Sequence, residues 1–189
     1  MRKLAVLFVF IATAVCLQAQ TFSWDIKFLK GSSRESVPIN QIIRMETGQD
    51  FLLAINPASD CFCYVICYDS DRQIIVLLAG QVKGGNEITL GPIHIDPPSG
   101  TETLYVIMSL TRQAKLEDLI QAQKNNPSGR QQATNLYREV VSLQNSASGL
   151  GEPASSFVPS GGTSRGNTQE NATRFSGKNM YVRAITIRH

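Results

Sequence analysis

The sequence predicts a mainly β protein: a β-sandwich or immunoglobulin-like sheet with one or two packed α-helices. Three observations lead there. Phe22, Trp24, Ile26 and Phe28 alternate with Ser23, Asp25 and Lys27, the period-two pattern of a strand with one buried face. Cys61 to Tyr68, Ile74 to Leu78 and Thr103 to Ser109 are nearly continuous apolar runs of strand length, separated by turn-forming residues. Within Arg130 to Gln144, Ala133, Leu136, Tyr137, Val140 and Leu143 recur at three- and four-residue spacing, which describes a helix with one apolar stripe.

The chain opens on an address. Arg2 and Lys3 form a positive start, Leu4 to Val15 is an apolar stretch, and Leu17-Gln18-Ala19 ends in a small residue. This is the layout of a secretory signal peptide over residues 1–19, with the mature chain expected from Gln20. The apolar run is too short to span a bilayer comfortably. Cys16 raises lipid attachment as an alternative, but Thr13, Ala14 and Val15 before it put a bulky β-branched residue where a lipobox has a small one. Cleavage after Ala19 fits better. No later stretch is long and apolar enough to cross a membrane as a helix, so the mature chain is expected to have no transmembrane span.

After the first strand, Gly31 to Ser36 is a polar break, and Ile39 to Met45 reads as a short strand or a turn of helix. Gly48-Gln49-Asp50 is a turn and Phe51 to Ile55 a strand. Asp69-Ser70-Asp71 carries turn chemistry and joins the next two strands as a hairpin. Gly84-Gly85-Asn86 is a further turn before Glu87 to Leu90 and Pro92 to Ile95, and Asp96-Pro97-Pro98-Ser99-Gly100 breaks the chain again.

Two strands carry more information than the rest. In Cys61 to Tyr68 one face shows Cys61, Cys63, Val65 and Cys67, and the other shows Phe62, Tyr64, Ile66 and Tyr68. Leu104, Val106 and Met108 likewise back onto Tyr105 and Ile107. A strand apolar on both faces needs a covering layer on each. The helices at Ala114 to Lys124, with Leu116, Leu119 and Ile120 on one side, and at Arg130 to Gln144 supply one of those layers. They close a β-rich domain over residues 20–144. Asn145 to Lys178 is rich in Gly, Ser, Thr and Asn and reads as a flexible excursion, after which residues 179–189 form a terminal strand returning to the sheet.

Composition narrows the function. The 189 residues are 42% hydrophobic and 17% charged, enough apolar material for a core and too much for a disordered chain. Setting aside Arg2 and Lys3 leaves 16 basic and 15 acidic residues, a net charge of +1, so no nucleic-acid partner is expected. No nucleophile elbow, phosphate loop or dinucleotide fingerprint is present. Gly161 and Gly166 have the glycine spacing of a phosphate loop, but Asn167 stands where a lysine is needed. Cys61, Cys63 and Cys67 share one strand face. Alternate positions lie about 6.5–7 Å apart, at the limit of disulfide reach, and Cys67 is about 13 Å from Cys63. One strand does not gather ligands around a zinc ion, so the cysteines read as small buried apolar side chains. Asp69 and Asp71 lack the further ligands of a calcium loop. Asn171-Ala172-Thr173 matches a glycosylation acceptor, a three-residue pattern read as coincidental. Arg183, Arg188 and His189 read as the charged guard of an edge strand. No metal, cofactor or catalytic residue is assigned.

The block from Gly48 to Ile120 resembles a bacterial domain-of-unknown-function family, number four-three-eight-four in its series. Ser59 to Asp71, with Cys61-Phe62-Cys63-Tyr64-Val65-Ile66-Cys67-Tyr68 at its centre, is similar to the family's aromatic strand and acidic turn. Ile75 to Leu78 is similar to its next strand, Gly100-Thr101-Glu102-Thr103-Leu104-Tyr105 to its strand entry, and Leu116-Glu117-Asp118-Leu119 to its short helix. Where the family commonly has Phe-Pro, this chain reads Leu78-Ala79. The resemblance implies an exported β-rich module and no catalytic residues.

Two function classes follow. The first is a non-enzymatic binding or scaffold module of the cell envelope, periplasmic or surface-associated, with a protein partner engaged by strand edges or by the excursion. The second is a hydrolase-like enzyme using His94 and Asp96, which share a strand face. For the address, Edman sequencing and intact mass of the exported protein should give a chain beginning at Gln20 and no acyl mass at Cys16.

Overall fold

A computed structural model describes residues 21–147, 157–159 and 171–189. The leader, Cys16 and the Gly161 to Gly166 spacing lie outside the described residues. Within them the protein is two β-sheets packed face to face, with two helices laid on the outer face of one sheet.

Strand β1 (Thr21–Lys30) carries out the period-two pattern. Phe22, Trp24, Ile26 and Phe28 are buried between the sheets, and the residues between them are half-buried on the outside. Strands β2 (Glu35–Val37) and β3 (Ile43–Arg44) are short, and β4 (Asp50–Pro57) runs antiparallel to β1 from Lys30↔Phe51 to Trp24↔Pro57. Strands β5 (Cys61–Tyr68) and β6 (Ile74–Val82) form the hairpin expected across Asp69 to Asp71. Strand β7 (Ile88–His94) crosses back to pair with β4, and β8 (Thr101–Ser109) pairs with β5. Helices α1 (Ala114–Asn125) and α2 (Arg130–Ala147) follow, then β9 (Phe157–Pro159), β10 (Asn171–Lys178) and β11 (Met180–Arg188). One sheet has the order β7-β4-β1-β10-β9, with β2 also on β1, and the other the order β3-β11-β8-β5-β6.

The doubly apolar strands are where their faces require. β5 and β8 are adjacent in the second sheet, and β5, β8 and β11 pair antiparallel along nearly their whole lengths. Cys61, Cys63, Val65 and Cys67 of β5, with Leu104, Val106 and Met108 of β8, meet Phe28, Phe51, Leu53 and Ile55 of the first sheet. Tyr64, Ile66, Tyr105 and Ile107 on the opposite face meet Leu116 and Ile120 of α1 and Leu136 and Val140 of α2. The sandwich and the packed helices that the sequence predicts are both present, as three layers. Tyr64 pins the third layer: its buried hydroxyl donates to Glu117 Oε1 at 2.8 Å and accepts from the Gln113 backbone N–H at 3.1 Å, at the start of α1. Lys115 and Glu139 join α1 to α2 as an ion pair.

Two readings are corrected. Residues 145–178 are not one flexible excursion. α2 runs on to Ala147, and β10 lies antiparallel to β1 from Thr21↔Lys178 to Ile26↔Thr173, with β9 beyond it. β10 left no apolar rhythm because Phe175 is its one large inward side chain. Phe175 joins an aromatic group in which Trp24 lies 4.9 Å from Tyr181 and 4.7 Å from Phe22 by ring centroids. Gly177 lets that group close, since a Cβ there would stand 3.2 Å from Trp24 Cη2. Outside, Arg174 makes a two-pronged contact with Asp25, at 2.8 and 3.1 Å. Secondly, Ile39 to Met45 is mostly irregular. Only Ile43 and Arg44 pair, parallel to β11, while Ile39, Ile43 and Met45 plug the side of the core.

Phe28 is fully buried and stacks on Phe51 with ring centroids 4.7 Å apart. Phe28→Ala should lower unfolding stability by about 3–5 kcal/mol, whereas Ile42→Ala, at a side chain 49% exposed, should change it by less than about 0.5 kcal/mol. Urea denaturation followed by Trp24 fluorescence measures both.

Candidate functional site

The flank where β6 and β7 lie is the side on which the two sheets end without a further strand. β6 is the last strand of one sheet and β7 the last of the other. Neither has a second partner strand among the described residues. The two edges differ. β7 is interrupted: Gly91-Pro92 breaks its ladder opposite Phe51 and Leu53, and a proline has no N–H to offer a new neighbour. β6 reads Ile-Ile-Val-Leu-Leu-Ala-Gly-Gln-Val, nine residues with no charge, bulged between Val65 and Ile66 of its partner. In an antiparallel strand alternate N–H and C=O groups point away from the partner, so an edge strand presents a row of open backbone groups.

Side chains on this flank are apolar and only half covered. Leu77, Leu78, Ile88, Leu90 and Ile93 pack on the rim of the core, and Ile75 is 50% exposed. At the end of the flank nearest the Asp69 to Asp71 turn, a cavity of about 100 Å³ opens between Ile75 and Leu77 of β6 and Ile93 and His94 of β7, with Asp96 and Glu102 on its wall. Asp69 and Asp71 border it as well.

The sequence-predicted pair sits here, with a change of partner. His94 Nδ1 lies 2.8 Å from Asp50 Oδ1, because the β4–β7 register sets Asp50 opposite His94. Asp96 is the looser neighbour, 3.9 Å from Nε2. Sequence reasoning missed Asp50, since only strand pairing joins residues so far apart in the chain. The hydrogen bond to Asp50 holds the imidazole above its ordinary pKa, and both side chains are about half exposed.

Behind the rim lies a second group that the sequence did not reveal. Glu102 is buried. Its Oε1 is 3.6 Å from His189 Nε2, and its Oε2 accepts from the Cys67 thiol at 3.8 Å. Burial raises the Glu102 pKa, with the nearby His189 acting in the opposite direction. His189 has its other ring nitrogen 3.4 Å from the Thr47 hydroxyl. The cysteines are inert by the same physics. Cys61 is pushed up to about 11 by burial and then by Asp60, and burial raises Cys63 and Cys67 as well. A thiol held in its protonated form is neither nucleophile nor metal ligand. Among the described residues no group of three or more His, Cys, Asp or Glu side chains is arranged to hold a metal ion, and no helix is long and apolar enough to cross a membrane. Asp69 serves the turn, its carboxylate accepting from the Gln73 N–H at 2.7 Å.

Comparison with protein-family models, curated proteins and solved structures finds no match to this chain.

Iodoacetamide at pH 8 should leave Cys61, Cys63 and Cys67 unmodified in the folded chain expressed from Gln20 and modify all three in urea. Intact mass reads the count, and fast native labelling of Cys67 would mark it as a reactive thiol.

Proposed function

We propose that the protein is an exported, non-enzymatic binding or scaffold module of the cell envelope that takes up an extended segment of a protein partner along β6. The observation that carries this reading is the β6 edge itself: nine uncharged, mostly apolar residues without a second partner strand among the described residues. Adding a strand to such an edge satisfies its open backbone groups, while alternate side chains of the incoming segment cover the half-exposed Leu77, Leu78 and Ile88. The leader-like first 19 residues support the address.

The chemistry of the flank describes the partner further. Along its length it favours an apolar, extended segment. At the Asp69 to Asp71 end it gathers Asp69, Asp71 and Asp96, so a Lys or Arg at the corresponding end of the segment meets opposite charge. The hydrolase-like alternative, His94 with Asp96, has a contacting carboxylate in Asp50, but Cys67, the cysteine lining the same cavity, is buried and held protonated.

Ile75→Lys puts a charge on the edge at a half-exposed position and should leave folding intact. In crosslinked pull-down from intact cells, the wild-type mature protein should retain an envelope protein that Ile75→Lys loses. Hydrogen exchange at the β6 amides should slow in the wild-type complex. Retention by Ile75→Lys, or unchanged β6 exchange on partner binding, would overturn the assignment to this edge.

A further inference from the structure

A separate cavity lies on the helix side of the second sheet, where the β5–β6 turn approaches the beginning of α2. Its volume is about 480 Å³, within the range of about 300–1,000 Å³ typical of small-molecule sites. One wall is aromatic. Tyr68 of β5 and Tyr137 of α2 stack with centroids 4.4 Å apart and ring planes 23° apart, and Tyr105 braces Tyr137 edge-on at 6.4 Å. The rings are only partly buried, so the pair offers ring surface and phenol oxygens to the opening.

The rest of the lining is polar. Arg72 from the turn and Arg130 from the first residue of α2 both border the cavity, and neither guanidinium has an ion-pair partner among the described residues. The first turn of α2 contains no acidic residue to offset Arg130. Gln73 and Thr134 add hydrogen-bonding groups. The Thr134 hydroxyl donates to the Arg130 carbonyl at 2.8 Å and keeps its lone pairs to accept. Asp71 completes the polar set.

The combination selects among ligands. Two unpaired guanidiniums favour a carboxylate or phosphate. Asp71 opposes a bare, highly charged anion but accepts hydrogen bonds from hydroxyls, so an anion with neighbouring hydroxyl groups satisfies every wall. The tyrosine pair adds a surface for the apolar face of a ring. We propose that this cavity binds an acidic carbohydrate, a hexuronate-type ring lying against Tyr68 and Tyr137 with its carboxylate on Arg72 and Arg130. This site shares Asp71 with the β6 flank but opens on the helix side of the sheet, and the proposal does not rest on the β6 reading.

The test is a titration of the ¹⁵N-labelled mature protein with sodium glucuronate, glucose and inorganic phosphate. Glucuronate should produce saturable shifts at Arg72, Gln73, Arg130 and Tyr137, with glucose binding about tenfold more weakly or worse. The Arg72→Gln/Arg130→Gln double variant changes two exposed side chains, so its thermal midpoint should match the wild type while glucuronate affinity falls at least about tenfold. Non-saturable shifts, equal response to glucose, phosphate binding as tightly as glucuronate, or unchanged affinity in the double variant would each overturn the proposal.

Discussion

The structure depends on having two adjacent strands, β5 and β8, that are apolar on both faces. A strand of that kind is stable only between two layers. The first sheet covers the cysteine-bearing face and α1 and α2 cover the tyrosine-bearing face. That single requirement sets the first sheet opposite the second, lays the helices on the outer face, and explains why Cys61, Cys63 and Cys67 are held as thiols rather than disulfides. Cys61, Cys63 and Cys67 share one row with Val65 and are spaced along one strand, so each is a small packing group, with Cys67 also donating to Glu102.

The same arrangement decides where the molecule is unfinished. Toward β11 the second sheet ends in the two-residue β3, with Ile39 and Met45 closing the side. Arg183, on the core-facing row of β11, reaches the Ile39 carbonyl at 3.0 Å and lies 5.9 Å from the Phe175 ring centre. Toward β6 there is no such plug among the described residues. The hairpin carries a long apolar strand to the rim, and the opposing edge strand β7 is guarded by its proline while β6 is not. Long uncharged edges invite association with any extended chain. Its persistence beside a guarded neighbour is the physical basis for reading β6 as a docking edge rather than as a neutral surface.

Much of the architecture was legible where burial imposes a period. The β1 alternation, the two-faced runs of β5 and β8, and the α2 stripe each specify both an element and what must cover it. Legibility failed where a strand is held by its ladder and by one side chain. β10 offers only Phe175 and a glycine whose role depends on Trp24, about 150 positions earlier in the chain, and no local pattern reports that. The same limit governed the site. His94 was visible, but its closer carboxylate, Asp50, is a matter of cross-strand register. The Cys67–Glu102–His189 group is assembled by three different strands or strand ends. The Tyr68–Tyr137 pair joins an edge of β5 to a helix that the sequence placed only as a covering layer.

The ionisable groups of the flank divide by burial. A general acid or base must be both accessible to substrate and tuned away from its solution behaviour. On the β6–β7 flank His94 combines the two. His94 and Asp50 are accessible, and their contact favours the charged imidazole. Glu102 and Cys67 are both shifted upward, and they are shifted because they are buried. The protonated thiol that burial favours at Cys67 suits a packed interior, where a neutral group costs less than a charge. Recognition has no such double demand. It needs open backbone groups, half-covered apolar side chains and unneutralised charge at a fixed place on a rigid scaffold, and the β6 flank and the Arg72–Arg130 cavity supply these on opposite sides of the same hairpin.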